Sequence, residues 1–189
     1  MIDYKKYWED RYHKGGNSGS GSYNNAAILK SNYINSIIKK YNIKTINDFG
    51  HGDGNQLSYL KGYDQYYGYD ISMTTRKKCK DKFKSYQNIT FVNDINDLVD
   101  VDLNMSLDVL YHIIDKNDFY QYLNRLFIKS KYVLIYGVDK NMGDINTHFY
   151  ARPFLGYIQE QFKNYELLDI HDGIHNDVKF YFFKKTGEI

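Results

Sequence analysis

Apolar and polar positions follow two rhythms along this chain. Short apolar runs near 44–49, 65–71, 89–94, 102–108 and 131–138 read as strands, and stretches of helical character near 54–61, 72–84 and 115–129 lie between them. Residues 4–12 form a short aromatic and charged segment, also read as helical. Residues 24–41 carry Ile28, Tyr33, Ile34, Ile37 and Ile38 at the spacing of an amphipathic helix. Strands alternating with helices imply a mostly parallel sheet covered on both faces. After residue 150 the rhythm changes. A helix near 150–163 precedes two strand-like runs, 165–171 and 178–185, joined by His-Asp-Gly-Ile-His-Asn-Asp. Strands joined that closely pair antiparallel. No internal repeat interrupts the pattern, so the expectation is one α/β domain over 1–189.

Composition narrows the class of protein. The chain has 189 residues, of which 42% are hydrophobic, enough for a sizeable core. Its 25 basic and 23 acidic residues leave a net charge of +2, without the basic excess of a nucleic-acid groove. The run Arg76, Lys77, Lys78, Lys80, Lys82 and Lys84 falls on an expected helix and reads as a solvated face. Cys79, the only cysteine, excludes an internal disulfide and reads as a small core residue. No apolar run approaches the ~20 residues that cross a bilayer, and the N-terminus has no apolar signal-peptide core. A cytoplasmic protein with no membrane partner is expected. The oligomeric state stays open.

The chemistry concentrates in Ile-Asn-Asp-Phe-Gly-His-Gly-Asp-Gly-Asn-Gln-Leu, residues 46 to 57. An apolar strand enters a turn with glycines at 50, 52 and 54, which accept φ > 0 and let a ligand lie against the backbone. The spacing is G-x-G-x-G. A dinucleotide fingerprint would need a third glycine at Asn55 or Leu57. Asp48 precedes the turn, Asp70 ends the second strand and Asp94 ends the third. Asp70 stands where a ribose would lie, and Asp94 is available to an adenine amino group. Three acids at successive strand ends suit a ligand with a ribose, an amine and a positive centre, and they are awkward for a pyrophosphate.

This ordered set resembles that of the class I S-adenosylmethionine-dependent methyltransferases. Asp48-Phe-Gly-His-Gly-Asp-Gly is similar to the family's first motif, and Gly68-Tyr-Asp70-Ile-Ser to its second. The resemblance implies a Rossmann-like doubly wound sheet of seven strands with a closing antiparallel hairpin. It implies S-adenosyl-L-methionine as cofactor, with S-adenosyl-L-homocysteine as product. Residues 1–42 would be an N-terminal helical lid segment and 43–189 the cofactor-binding core. The N-terminus resembles that of a small stand-alone subgroup with W-x-x-R-Y…G-G-x-S-G-x-G-S, here Trp8, Arg11 and Tyr12 followed by residues 15–22 with Ser18 and Ser22. By composition alone residues 15–22 would be a flexible linker. The resemblance makes them an ordered lid that excludes water and offers donors to the methionine carboxylate. The cofactor set it implies is Trp8, Arg11, Tyr12, Ser18, Ser22, Asp48, Gly50, Gly52, Gly54, Asn55, Gln56, Asp70, Ile71, Asp94, Ile95 and Ser106. His51 stands where relatives often have a small residue or cysteine and is expected to point away from the cofactor. His171 and His175 read as surface residues.

Methyl transfer to a hydroxyl gains from a general base, typically ~10²–10⁴-fold. His112, in Asp108-Val-Leu-Tyr-His after the fourth strand, is the candidate. Asp108, four residues earlier, would orient its ring if the segment is helical. Tyr111, His148 and Arg152 are expected at the acceptor, with Arg152 gripping an anionic or polyhydroxyl group. A second cluster, Asp139 with His148 and Arg152, reads equally well as an ordinary loop-to-helix junction. Asp108, His112, Asp139 and His148 match no metal-site spacing, so no metal is expected. The leading expectation is O-methylation of a small-molecule or sugar hydroxyl. Against it stand a regulatory protein that binds the cofactor without catalysis, a nucleotide-binding oxidoreductase and a nucleic-acid methyltransferase. The missing glycine argues against the oxidoreductase. The near-neutral charge and the absence of an amine-methylating Pro-Pro motif argue against the nucleic-acid enzyme.

Overall fold

A computed structural model describes residues 2–175 and 177–187. Contacts divide the chain into two compact units, residues 5–102 and residues 1–4 with 103–189. The boundary thus falls after Asp102, and residues 5–42 share a unit with the glycine turn. The principal sheet has seven strands, mostly parallel with an antiparallel closing pair, the expected fold class.

The 5–102 unit holds helix α1 (Tyr4–His13, whose first residue lies in the other unit), helix α2 (Asn24–Lys40), strand β1 (Thr45–Phe49), strand β2 (Gln65–Tyr69), helix α3 (Met73–Lys82) and strand β3 (Ile89–Phe91). β2 lies between β1 and β3, parallel to both, with Asp48 level with Gly68. α2 buries Ala27, Ile34, Ile37 and Ile38, close to the expected apolar stripe. Ile28 is instead exposed. Ser72 caps α3 by accepting from Thr75 N–H. Cys79 is buried on α3, while Lys77, Lys78, Lys80, Lys82 and Lys84 are exposed.

The helix expected over 54–61 is absent. A single 3₁₀ turn, Leu57–Tyr59, stands in its place. Gly54 at φ 70° and Gly62 at φ 87° bracket a stretch too short to offset helix nucleation. Any ligand at the glycine turn therefore meets loop amides rather than a helix N-terminus.

The 103–189 unit holds strand β4 (Val101–Leu107, whose first two residues belong to the 5–102 unit), helix α4 (Lys116–Leu126), strand β5 (Ser130–Gly137), strands β6 (Met142–Asp144) and β7 (Phe149–Ala151), helix α5 (Leu155–Gln161) and strands β8 (Tyr165–Asp172) and β9 (Lys179–Lys185). β9 pairs antiparallel with both β5 and β8. The expected closing hairpin is present, and Asn176 in its connection lies outside the described residues. Phe127, Phe162, Tyr165 and Phe183 stack in the core of this unit, which is where several of the abundant aromatics go. β6 and β7 form a separate antiparallel pair that the sequence pattern did not suggest. The helix expected from residue 150 begins only at Leu155, because Pro153 disfavours helical backbone before it.

Candidate functional site

Within the 5–102 unit, β1 delivers a buried carboxyl to the glycine turn. Asp48 is 4% exposed. Its Oδ2 accepts from the Tyr66 hydroxyl at 2.7 Å, and its Oδ1 is buried with no hydrogen-bond partner among the described residues. Burial raises its pKa to about 7, with Asp70 adding to the rise and the Tyr66 hydrogen bond and Lys30 opposing it. Asp70, just past β2, is 7% exposed. Its Oδ2 accepts from Gly52 N–H and its Oδ1 from Ser72 N–H, both at 2.9 Å. The Arg76 guanidinium donates to the Asp70 carbonyl and lies over Tyr69. Gly52 has φ 58°, and a Cβ there would lie 2.2 Å from Ser18 Oγ. The turn is therefore covered by residues 15–22.

That segment is ordered rather than a free tether. Arg11 Nε donates to Asn17 O at 2.7 Å, its guanidinium lies over Trp8, and the Tyr12 hydroxyl pairs with Ser18 Oγ at 3.0 Å. Ser18 Oγ also accepts from Asp53 N–H. Asn55 Nδ2 donates to Ser22 O, and Gln56 Nε2 donates to Ala27 O and Ser31 Oγ. Ser18, Asn55 and Gln56, all expected at the cofactor, thus use these atoms to hold the strap and α2. Asp94 is exposed, and its Oδ1 caps its own turn by accepting from Asn96 N–H. The adjacent Ile95 is half-buried, and Ile71 is 38% exposed beside Asp70. His51 is buried edge-on to Phe91, its Nδ1 donates to Gly52 O, and burial lowers its pKa, so the ring is neutral.

Two participants were not anticipated. Asp53, between Gly52 and Gly54, accepts from Ser18, Tyr23 and Asn55. Glu9 accepts from the hydroxyls of Ser72 and Thr74 at 2.6 Å each. Burial alone would raise its pKa, but these hydrogen bonds outweigh it and the pKa is lowered. A carboxylate directly after Trp8, five residues past the start of α1, was the available signal for Glu9. Asp53 gave no signal beyond its place in the turn.

Within the 103–189 unit the candidate acceptor residues gather around β4 and β7. Asp108 follows β4 at φ 62°, outside any helix, and His112 ends a 3₁₀ turn, so the segment is not the helix on which the i, i+4 pairing was expected. Asp108 Oδ1 accepts from the Tyr111 hydroxyl at 2.5 Å, and His112 Nδ1 lies 2.5 Å from the carbonyl oxygen of His148. A carbonyl only accepts, so Nδ1 carries a proton, and Nε2 is the nitrogen left to act as a base. The His112 and His148 rings stack at 5.6 Å, and Tyr111 packs on both His112 and Phe149. Burial raises the Tyr111 pKa well above its usual value, with Asp108 adding to the shift.

Arg152 is used differently from the expectation. Its Nη1 donates to Ile113 O at 2.9 Å, its Nη2 donates to Ile114 O, and the guanidinium lies over Tyr150 and Phe119. It clamps the loop after His112 rather than offering its fork to an acceptor. Asp139 Oδ1 accepts from Phe154 and Leu155 N–H, capping α5. Ser106 is buried with its hydroxyl paired to Tyr122 on α4. Among the described residues no group of His, Cys, Asp and Glu side chains is arranged to hold a metal. His171 and His175 are exposed, as expected.

Residues 47–135 match the model of a methyltransferase domain. The match begins one residue before Asp48 and ends inside β5, so it spans the glycine turn, Asp70, Asp94 and His112. No curated protein matches the chain. Among solved structures, magnesium protoporphyrin IX methyltransferase from Synechocystis PCC 6803 with bound S-adenosylhomocysteine is similar at a TM-score of 0.70 and 15% identity, over 96% of this chain and 98% of that one. The N-methyltransferase NodS from Bradyrhizobium japonicum WM9, in complex with S-adenosyl-L-homocysteine, is similar at a TM-score of 0.70 and 11% identity, over 98% and 100%. An S-adenosylmethionine-dependent methyltransferase from Clostridium acetobutylicum ATCC 824 is similar at a TM-score of 0.63 and 17% identity, over 96% and 98%. At these identities the likeness establishes the fold.

Proposed function

We propose that this chain is an S-adenosyl-L-methionine-dependent methyltransferase that methylates a hydroxyl of a small molecule or sugar. The observation that carries the donor assignment is the orphaned carboxyl oxygen of Asp48 at the head of the glycine turn. A buried acceptor without a partner fits a ligand that brings N–H donors and positive charge and does not fit a polyphosphate. When bound, S-adenosyl-L-methionine supplies a methyl group activated by a sulfonium centre.

The chain's own residues hold and exclude. Asp48 and Asp70 present acceptors on either side of the turn, with Asp70 held in place by Gly52 and Ser72 N–H. The strap bearing Ser18 and Ser22 limits water at the turn. His112 Nε2 takes the proton of the acceptor hydroxyl, and the His148 carbonyl keeps Nδ1–H directed away from that role. Tyr111, Phe149 and Tyr150 offer ring faces beside polar groups, a surface suited to a sugar or a small aromatic. A cytoplasmic location belongs to the same reading, supported by Cys79 as a lone buried thiol.

Isothermal titration with S-adenosyl-L-homocysteine tests the donor assignment. The wild type binds, and Asp70→Ala loses about tenfold or more of that affinity, the scale of hydrogen bonds to a charged group. No binding by the wild type, or equal binding by Asp70→Ala, refutes it.

A further inference from the structure

One acid of the glycine turn has no part in the function proposed above. Asp53, between Gly52 and Gly54, accepts through Oδ2 from Ser18 N–H and the Tyr23 hydroxyl, each at 2.8 Å. Its Oδ1 accepts from Asn55 N–H at 3.0 Å. Ser18 Oγ returns the interaction by accepting from Asp53 N–H at 2.9 Å, so residues 18 and 53 are joined by a reciprocal pair of hydrogen bonds. The strap is tied at its other points by Arg11 to Asn17 O and by Asn55 to Ser22 O. Its preceding helix α1 is docked through Glu9 to Ser72, whose N–H donates to Asp70. Lys82 Nζ adds contacts to the carbonyls of Asp53 and Gly54. Without these ties, eight residues of Gly, Ser and Asn would be a flexible chain by composition.

We infer that Asp53 is a positioning residue. Through Ser18 and Tyr23 it latches the Gly/Ser strap onto the glycine turn, and the latched strap slows departure of the methyl donor from that turn. The latch consists of the chain's own residues. Its effect on the donor rests on the function proposed above.

The test uses the full chain and two readouts. Amide hydrogen exchange follows the Ser18 N–H and its neighbours without ligand. Stopped-flow and calorimetric binding use S-adenosyl-L-homocysteine. In Asp53→Ala the strap amides exchange about tenfold faster or more while those of β1 and β2 keep their protection. S-adenosyl-L-homocysteine then dissociates about tenfold faster, and the KM for S-adenosyl-L-methionine rises with little change in kcat. Asp53→Asn keeps one acceptor oxygen and restores part of both effects, whereas Asp53→Leu restores neither. If Asp53→Ala fails to fold, Tyr23→Phe decides, because it removes one hydroxyl from the same oxygen and shifts both readouts in the same direction by less. Strap exchange unchanged in these variants overturns the latch. Faster exchange with unchanged dissociation overturns its effect on the donor. A wild type that does not bind S-adenosyl-L-homocysteine overturns the donor assignment, and with it the effect of the latch on the donor, while the exchange comparison still decides the latch itself.

Discussion

Asp48 makes stability depend on pH in a direction that its burial dictates. The carboxyl is 4% exposed and its pKa is raised to about 7, from an ordinary 3.8, mainly by desolvation. In the unfolded chain it titrates near its ordinary value. Between the two values the native state holds a proton that the unfolded state has released. The contribution to stability is therefore fully present below pH 3.8 and is lost as pH rises through about 7. About three pH units at 1.36 kcal/mol each make this loss approach ~4 kcal/mol near neutrality.

Asp48→Asn removes the titration and keeps an acceptor for the Tyr66 hydroxyl. Its amide nitrogen replaces the orphaned Oδ1, and a buried donor left unpaired costs about 1–3 kcal/mol. The variant is then ~1–3 kcal/mol more stable than the wild type at neutral pH, and the pH dependence of the difference isolates the carboxyl. Urea unfolding of both proteins at several values between about pH 5 and 7 measures it. The stability difference grows by up to ~1.4 kcal/mol per pH unit. A difference that stays constant over this range refutes the assignment of a protonated, buried Asp48.

His112→Gln lowers turnover by about 10²–10⁴-fold while S-adenosyl-L-homocysteine affinity persists, and unchanged turnover would end its role as base. Long-range ¹⁵N correlation spectra of wild-type His112 show a proton on Nδ1, as its distance to the His148 carbonyl requires; a ring protonated on Nε2 alone contradicts the geometry. Arg152→Ala destabilises the protein by about 2–3 kcal/mol, because two carbonyls of the 113–114 loop lose a charged donor. An Arg152→Ala protein with unchanged thermal midpoint and a raised acceptor KM would return this residue to the acceptor.

The glycine turn was legible because its chemistry is written in backbone requirements. Glycines at 52 and 54 with φ of 58° and 70°, and acids at strand ends, follow from where strands stop. The acceptor side was less legible because its contacts depend on loop conformation. Asp108 and His112 have helical spacing, yet Asp108 takes a left-handed φ and His112 ends a 3₁₀ turn, with the Tyr111 hydroxyl and the His148 carbonyl among their partners. Arg152 sits in a polar, aromatic context that suits a ligand clamp equally well. Only the β6–β7 pair, invisible to periodicity because each strand has three residues, brings it to the Ile113 and Ile114 carbonyls. Asp94 and Asp139 illustrate the same ambiguity. Asp94 caps its own turn by accepting from Asn96 N–H, and Asp139 caps α5, fifteen residues on, by accepting from Phe154 N–H.

The three strand-end acids therefore differ in what a ligand would change. Asp94 is exposed and capped by its own turn, so it gains little rigidity from a ligand. Asp70 already accepts one N–H on each oxygen, and a carboxylate has about four acceptor positions, so it can add ligand hydroxyls without releasing Gly52 or Ser72. It is preorganised, and its contribution to affinity carries little reorganisation cost. Asp48 is the acid with a buried oxygen left unpaired, so it is the one whose energy falls most when a donor arrives. A positively charged donor beside it would also lower its raised pKa and draw off its proton. Donor affinity should then rise with pH through about 7 in the wild type and lose that dependence in Asp48→Asn, linking the stability experiment to binding through one carboxyl group.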